Sequence, residues 1–171
     1  MRQFLKSKWA PLIVTALAVA LDQITKALAV VYLKPIATLP LWDGVFHLTY
    51  RINYGAAWSL FADTPWVFMT VSSIAIVGIL VYYFRDKKLT PAVRYSLCMI
   101  LGGGIGNMID RIFVGYVVDF LDARIIHFPV FNVADCFVTV GAFLLFFVLL
   151  SDVIREAKTK KGEKTDDTLG A

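Results

Sequence analysis

Four apolar runs divide the chain, and their lengths set the architecture before any single residue is weighed. The first extends from about Trp9 to Leu33, the second from Pro65 to Phe84, the third from Tyr95 to Ile112 and the fourth from Ala134 to Leu150. Each is near the length that carries a helix across ~30 Å of hydrocarbon at about 1.5 Å per residue. The expected fold is all-α and membrane-embedded: a four-helix transmembrane bundle with spans at about 10–33, 65–84, 95–112 and 134–152. One membrane domain, 1–155, is expected, followed by a charged cytoplasmic tail, 156–171, expected to be disordered. The first run follows Arg2, Lys6 and Lys8 and contains Ala18-Val19-Ala20, so a cleaved signal peptide is an alternative. Apolar character resumes at Ala27 and lasts to Leu33, which favours a retained span.

The segments between the runs are patterned too. From Val45 to Ile52 the residues alternate, with Phe46, Leu48, Tyr50 and Ile52 on one face and His47, Thr49 and Arg51 on the other. That is the period of a strand. Asn53-Tyr54-Gly55 reads as a turn, and 56–62, with Trp58, Leu60 and Phe61, as a short interfacial helix. The segment after the third run carries β-branched residues at Val117, Val118, Ile125 and Ile126. A small outer-face β-sheet is therefore expected, with Trp42, Trp58 and Trp66 at headgroup depth. The sheet and the 56–62 helix are expected to lie over any site at that face and limit water.

Composition agrees with this class. The chain of 171 residues is 58% hydrophobic and only 18% charged, with a mean hydropathy of +0.70. Its net charge of +4 forms no continuous basic face, so no nucleic-acid partner is expected. If four spans alternate, twelve Lys and Arg fall on one side: Arg2, Lys6, Lys8, Arg85, Lys87, Lys88, Arg94, Arg155, Lys158, Lys160, Lys161 and Lys164. Lys34, Arg51 and Arg124 fall on the other. Both termini are then cytoplasmic, and the segments 34–64 and 113–133 face outward.

That orientation collects the polar residues of the spans. Asp22 and Lys26 lie in the outer half of the first span, Asn107, Asp110 and Arg111 at the outer end of the third, and Asn132 and Asp135 at the outer start of the fourth. Asp119 and Asp122 lie between the last two. Intramembrane ionisable groups cost roughly 2.5–3.5 kcal/mol each at a span's centre, so they face inward and pair. Asp22 and Lys26 are one helical turn apart; their pairing serves packing or chemistry, and both readings stand. Asp110 and Arg111 point in different directions and need separate partners. Asp119 and Asp135 have no basic neighbour at helical spacing. Two carboxylates brought together in a poorly hydrated place share a proton, and such a pair can activate water against a peptide carbonyl. Asp135 also suits the first turn of a helix, where the macrodipole stabilises it. From the residues alone that structural use is the stronger reading.

Other chemistries lack their residues. His47 and His127 are the only histidines, there is no HExxH, and Cys98 and Cys136 read as two buried thiols, so no metal site is expected. Gly102, Gly103, Gly104 and Gly106 lack the Lys-Ser/Thr of a phosphate loop; the Gly102–Gly106 spacing instead lets a neighbouring helix approach closely. A transporter is a rival reading, but the second span carries no charge, so no polar path crosses. A scaffold in which every polar residue serves packing is the other.

Five motifs, in order, resemble the lipoprotein signal peptidase (signal peptidase II) family of bacterial membrane aspartic peptidases. They are Asp22-Gln23-Ile24-Thr25-Lys26, Asn53-Tyr54-Gly55-Ala56-Ala57, the stretch from Gly103 through Asn107 to Asp110-Arg111, Val117-Val118-Asp119-Phe120, and Phe131-Asn132-Val133-Ala134-Asp135. The resemblance spans about residues 10–155. It implies an endopeptidase that cleaves prolipoproteins before a diacylglyceryl-modified cysteine. Asp119 and Asp135 would be catalytic. Asn53, Gly55, Asn107, Arg111 and Asn132 would orient substrate or the carboxylates. Asp22, Lys26 and Asp110 would support the site. It also implies a monomer in the cytoplasmic (inner) membrane, contacting membrane lipid, needing no metal or cofactor, with its site at the outer face and inhibited by globomycin.

Overall fold

A computed structural model describes residues 9–55 and 65–169, with side chains over 9–55 and 66–159. Helix α1 covers Ala10–Leu28 and runs on through a π-helical turn, Ala29–Leu33. Strands β1 (Thr38–Trp42) and β2 (Phe46–Asn53) follow. Helix α2 covers Pro65–Arg85 and α3 Pro91–Phe113. Strand β3 (Val117–Asp122) and a short turn, Arg124–Ile126, lead to α4, Val133–Leu169. All four helices are long and apolar enough to cross a membrane, so the expected bundle with a small sheet is the observed architecture. The expected helix at 56–62, with Trp58, lies outside the described residues.

Helix α3 is the centre of the bundle, packed against α1, α2 and α4. More than half of its apolar window, 56%, is buried, against 6% for α2, whose Val71, Ile74, Val77 and Val81 are exposed. Glycines make the close approach possible. A Cβ on Gly102 would stand 2.6 Å from Ala18 Cβ on α1, and one on Gly106 would stand 2.6 Å from Asp22 Oδ2. A Cβ on Gly103 would fall on the Ala134 carbonyl oxygen of α4. The expected close helix packing is therefore real and two-sided: α1 meets one edge of the glycine run and α4 the other.

The sheet has the order β1-β2-β3, antiparallel throughout. Gly44 turns the β1–β2 hairpin at φ +71°, a conformation costly for a side chain with a Cβ. Val118 and Phe120 of β3 bury against Ala29 and Leu33, the π-helical end of α1, with Leu48 and Tyr50 of β2 beside them. Each fully buried large apolar side chain there contributes roughly 1.5–3 kcal/mol. The sheet is thus anchored on the end of α1 and holds β3 over the ends of α3 and α4.

Several boundaries and placements differ from expectation. The third helix starts four residues earlier than Tyr95. Thr90 caps it, its Oγ1 accepting from Val93 N at 3.3 Å, and Pro91 takes the first helical position. Arg94 is consequently inside the helix and buried, donating to the Leu89 and Asp86 carbonyls, instead of in a loop. Helix α4 does not stop near 152: the backbone stays helical to Leu169, where a disordered tail was expected. The segment extends a helix already nucleated within the bundle, so each added residue only propagates it. On β2, His47 and Thr49 are buried while Arg51 on the same face is exposed; Asp122 of β3, opposite His47, accepts from Thr49 Oγ1 at 2.7 Å. Cys98 is buried as expected, but Cys136 is only half-buried and lines a cavity.

Candidate active site

The polar residues singled out in the spans converge on one network. Lys26 sits at its base, 2.8 Å from Asp22 and 2.9 Å from Asp110, nearly sealed from solvent. The i,i+4 spacing on α1 sets the first pair. The second crosses to α3 where Gly106 lets the helices touch. The other oxygen of Asp22 accepts from the backbone N–H of Ala134 at 2.9 Å, so a carboxylate on α1 caps the first turn of α4. Gln23 completes the joint, donating to Asp110 at 2.8 Å, and to Asp22 and the Gly106 carbonyl at 3.2 Å each. Asp110 and Arg111 do have separate partners. Arg111 turns away, donating to the Gly55 carbonyl at 2.7 Å and the Asn107 carbonyl at 3.1 Å, its guanidinium over the Phe68 ring at 4.4 Å.

Asn132 and Asp135 form a reciprocal cap at the start of α4. Asp135 N donates to Asn132 Oδ1 at 3.0 Å, and Asn132 N donates to Asp135 Oδ2 at 3.1 Å. The amide of Asn132 then reaches across. Its Nδ2 donates to Asp119 Oδ1 at 2.6 Å and to Asn107 Oδ1 at 3.0 Å. Asn107 in turn donates to Asp135 Oδ1 at 2.8 Å. Asn53 donates to the second oxygen of Asp119 at 2.9 Å, its own Oδ1 held by Gly55 N at 2.9 Å. Two carboxylates from different elements are thus tied through one asparagine, each held by amide donors, and among the described residues neither is paired with a cation at salt-bridge distance.

Both carboxylates line a single cavity of about 620 Å³. Its remaining wall is largely apolar: Phe68 of α2, Val130 and Phe131 before α4, and Cys136 and Val140 on α4. Burial pushes the Asp119 carboxyl up to about 6; the Asn53 hydrogen bond pulls it back, and the charge of Asp135 adds to the rise. Among the described residues no group of three or more His, Cys, Asp or Glu side chains is placed to hold a metal ion.

Every site residue expected from the sequence, from Asp22 to Asp135, is in this one network. Two participants were not singled out for a role. Gln23 carried a signal, lying inside the first motif. Phe68 carried none, being one aromatic in an uninterrupted apolar run.

Comparison with known proteins shows the family and the fold. The family described as signal peptidase (SPase) II matches residues 14–151. The chain is 40% identical over 149 residues to the lipoprotein signal peptidase of Brevibacillus brevis, covering 87% of this chain and 97% of that one. It is 42% identical over 162 residues to that of Gloeothece citriformis, covering 91% and 96%. A solved structure described as a bacterial membrane enzyme superposes with a TM-score of 0.76 at 27% identity, covering 84% of this chain and 88% of that one.

Proposed function

The chain belongs to the signal peptidase II family, membrane peptidases that remove signal peptides from prolipoproteins, and from that premise we propose an aspartic mechanism acting before a diacylglyceryl-modified cysteine. The observation that carries the proposal is Asn132, which donates to Asp119 and is capped reciprocally with Asp135 in the wall of one cavity. One carboxylate takes a proton from water as the water oxygen bonds to the scissile carbonyl carbon. The other supplies the proton that the departing amine needs as the C–N bond breaks. The products are a free carboxyl terminus on the signal peptide and a free amine on the modified cysteine. The pair is left with the proton count it began with.

The rest of the network has roles consistent with this chemistry. Asn53, Asn107 and Asn132 hold the carboxylates, and among the described residues no cation locks either as a salt bridge. Arg111, anchored by Gly55 and Asn107, keeps its buried Nε without a partner among the described residues and is suited to orient a substrate carbonyl. The apolar wall suits a lipid-anchored substrate, whose acyl chains stay in the bilayer and position the peptide bond from a distance. The Lys and Arg distribution supports cytoplasmic termini and a site at the outer face, and membership of the family supports the bacterial inner membrane as its location. A globomycin-type cyclic peptide would occupy the same cavity.

The direct test offers purified protein a diacylglyceryl precursor and the same precursor without lipid. Mass spectrometry should find a product beginning at the modified cysteine from the first and none from the second. Cleavage of both at similar rates would remove the lipid from the proposal.

A pH dependence follows from Asp119. Its carboxyl holds a proton below about 6 and loses it above. A reaction that needs that proton declines as pH rises through this value, so kcat/KM should show an alkaline limb near pH 6. Asn53 stabilises the ionised form. Asn53→Ala should therefore move the limb to higher pH, by up to about one unit. An unmoved or lowered limb would show that a different group sets the profile.

A further inference from the structure

An ammonium has three hydrogens and accepts nothing. Lys26 Nζ contacts three oxygens: it lies as an ion pair 2.8 Å from Asp22 Oδ2 and 2.9 Å from Asp110 Oδ2, and it donates a hydrogen bond to Asn107 Oδ1 at 2.9 Å. Two carboxylates are sufficient to neutralise a buried lysine, and charge balance gives no reason for the third contact, to a neutral amide. We infer that Lys26 is a positioning residue: it fixes which way the Asn107 amide faces and so aims that amide's N–H at Asp135. The inference rests on reading Asp119 and Asp135 as the catalytic pair, and adds a residue that touches neither.

The two ends of an asparagine amide are alike in size and are told apart by their hydrogen bonds. Asn107 Oδ1 receives Lys26 Nζ at 2.9 Å and Asn132 Nδ2 at 3.0 Å, while its Nδ2 donates to Asp135 Oδ1 at 2.8 Å. Rotating the amide by half a turn would set its NH₂ against an ammonium and a second amide NH₂, and its oxygen against a carboxylate. All three contacts would become repulsive. Asn132 also holds the oxygen, but as a neutral donor already committed to Asp119. Lys26 is the charged anchor, and charge-assisted hydrogen bonds are roughly twice as strong as neutral ones. The lysine is itself immobilised. Asp22 is fixed by Ala134 N, and Asp110 by Gln23, so the ammonium sits in a tripod built from α1 and α3. Asn107 is one helical turn beyond Gly103, where α3 touches α4, which brings the tripod to the carboxylate that caps α4.

A role in charge balance and a role in positioning separate experimentally. Lys26→Met removes the donors and strands two buried carboxylates. The triple change Asp22→Asn, Lys26→Met, Asp110→Asn removes the donors and leaves the cluster neutral, with the acceptors for Ala134 N and Gln23 retained. Lys26→Arg keeps charge and donors. The protein in detergent micelles is assayed on a diacylglyceryl precursor, with thermal unfolding followed alongside. Positioning predicts that Lys26→Met lowers kcat roughly 10–100-fold with KM within about threefold of wild type. It predicts that the triple variant melts near wild type yet stays as slow, and that Lys26→Arg recovers most of the rate. Recovery of wild-type kcat in the triple variant would reduce Lys26 to charge balance and overturn the inference. So would a Lys26→Met effect confined to KM, or no effect. If Lys26→Met does not fold, the triple variant decides. Asp119→Asn is run in parallel: if it cleaves at the wild-type rate, the catalytic pair itself is misassigned, whatever Lys26 does.

Discussion

Asp135→Asn and Asp119→Asn are each expected to lower cleavage by roughly 10⁴-fold or more while the protein stays folded. An amide has nearly the shape of a carboxylate but can neither take a proton from water nor pass one to an amine. Structure loses little by the exchange. At position 135 the amide oxygen can still accept from Asn107, and the loss falls on the cap, where an NH₂ would face the backbone N–H of Asn132. A lost cap costs about 1 kcal/mol. At position 119 the oxygen can still accept from Asn132, and the new NH₂ would face that of Asn53. Neither change touches the glycine contacts that hold α1, α3 and α4 together. Initial rates on a diacylglyceryl precursor, beside thermal unfolding in the same detergent, measure both halves of the expectation. A well-folded Asp135→Asn that keeps cleaving within about tenfold of wild type would sink the aspartic mechanism.

The bundle was legible because a membrane span is written in one long run of apolar residues. Its ends were less so. Thr90-Pro91 is a cap followed by a first-turn proline, but Arg94 looks like a loop charge until the helix is seen to bury it against its own preceding carbonyls. Strand β1 went unseen because Thr-Leu-Pro-Leu-Trp contains Pro40, which argues against a central strand and is tolerated here because β1 is an edge. The convergence of the polar residues was legible through topology and cost: charges in spans must find one another, and alternation put them at one end. Their pairing was not. The first-turn use of Asp135 looked like a competitor to its chemistry, yet one side chain makes the cap with Asn132 and also lines the cavity with Asp119. The bridging geometry of Asn132 depends on where β3 lies against α4, which no local pattern encodes.

Gly103→Ala is expected to destabilise the protein by a few kcal/mol and to depress cleavage, whereas Gly104→Ala next to it should be neutral or slightly stabilising. Both changes put the same methyl group on the same helix, and both gain about 1 kcal/mol of intrinsic helix preference over glycine. What differs is the space. At Gly104 the nearest atoms to a new Cβ are those of Ile76, at 3.5 Å and beyond, an ordinary contact with a flexible side chain. At Gly103 the Cβ would lie on the Ala134 carbonyl oxygen and 2.7 Å from Val138 Cγ2. A backbone carbonyl inside a helix cannot swing aside, so α3 and α4 must separate. The separation acts on the site directly, because Ala134 lies between Asn132 and Asp135, and its N–H is held by Asp22. Moving that turn stretches the Asn107–Asp135 and Asn132–Asn107 hydrogen bonds together. Midpoints of thermal unfolding and kcat for the two variants, read as a pair, separate packing from propensity. If Gly103→Ala melted and cleaved like Gly104→Ala, the close contact of α3 with α4 would not be what holds the two carboxylates in register.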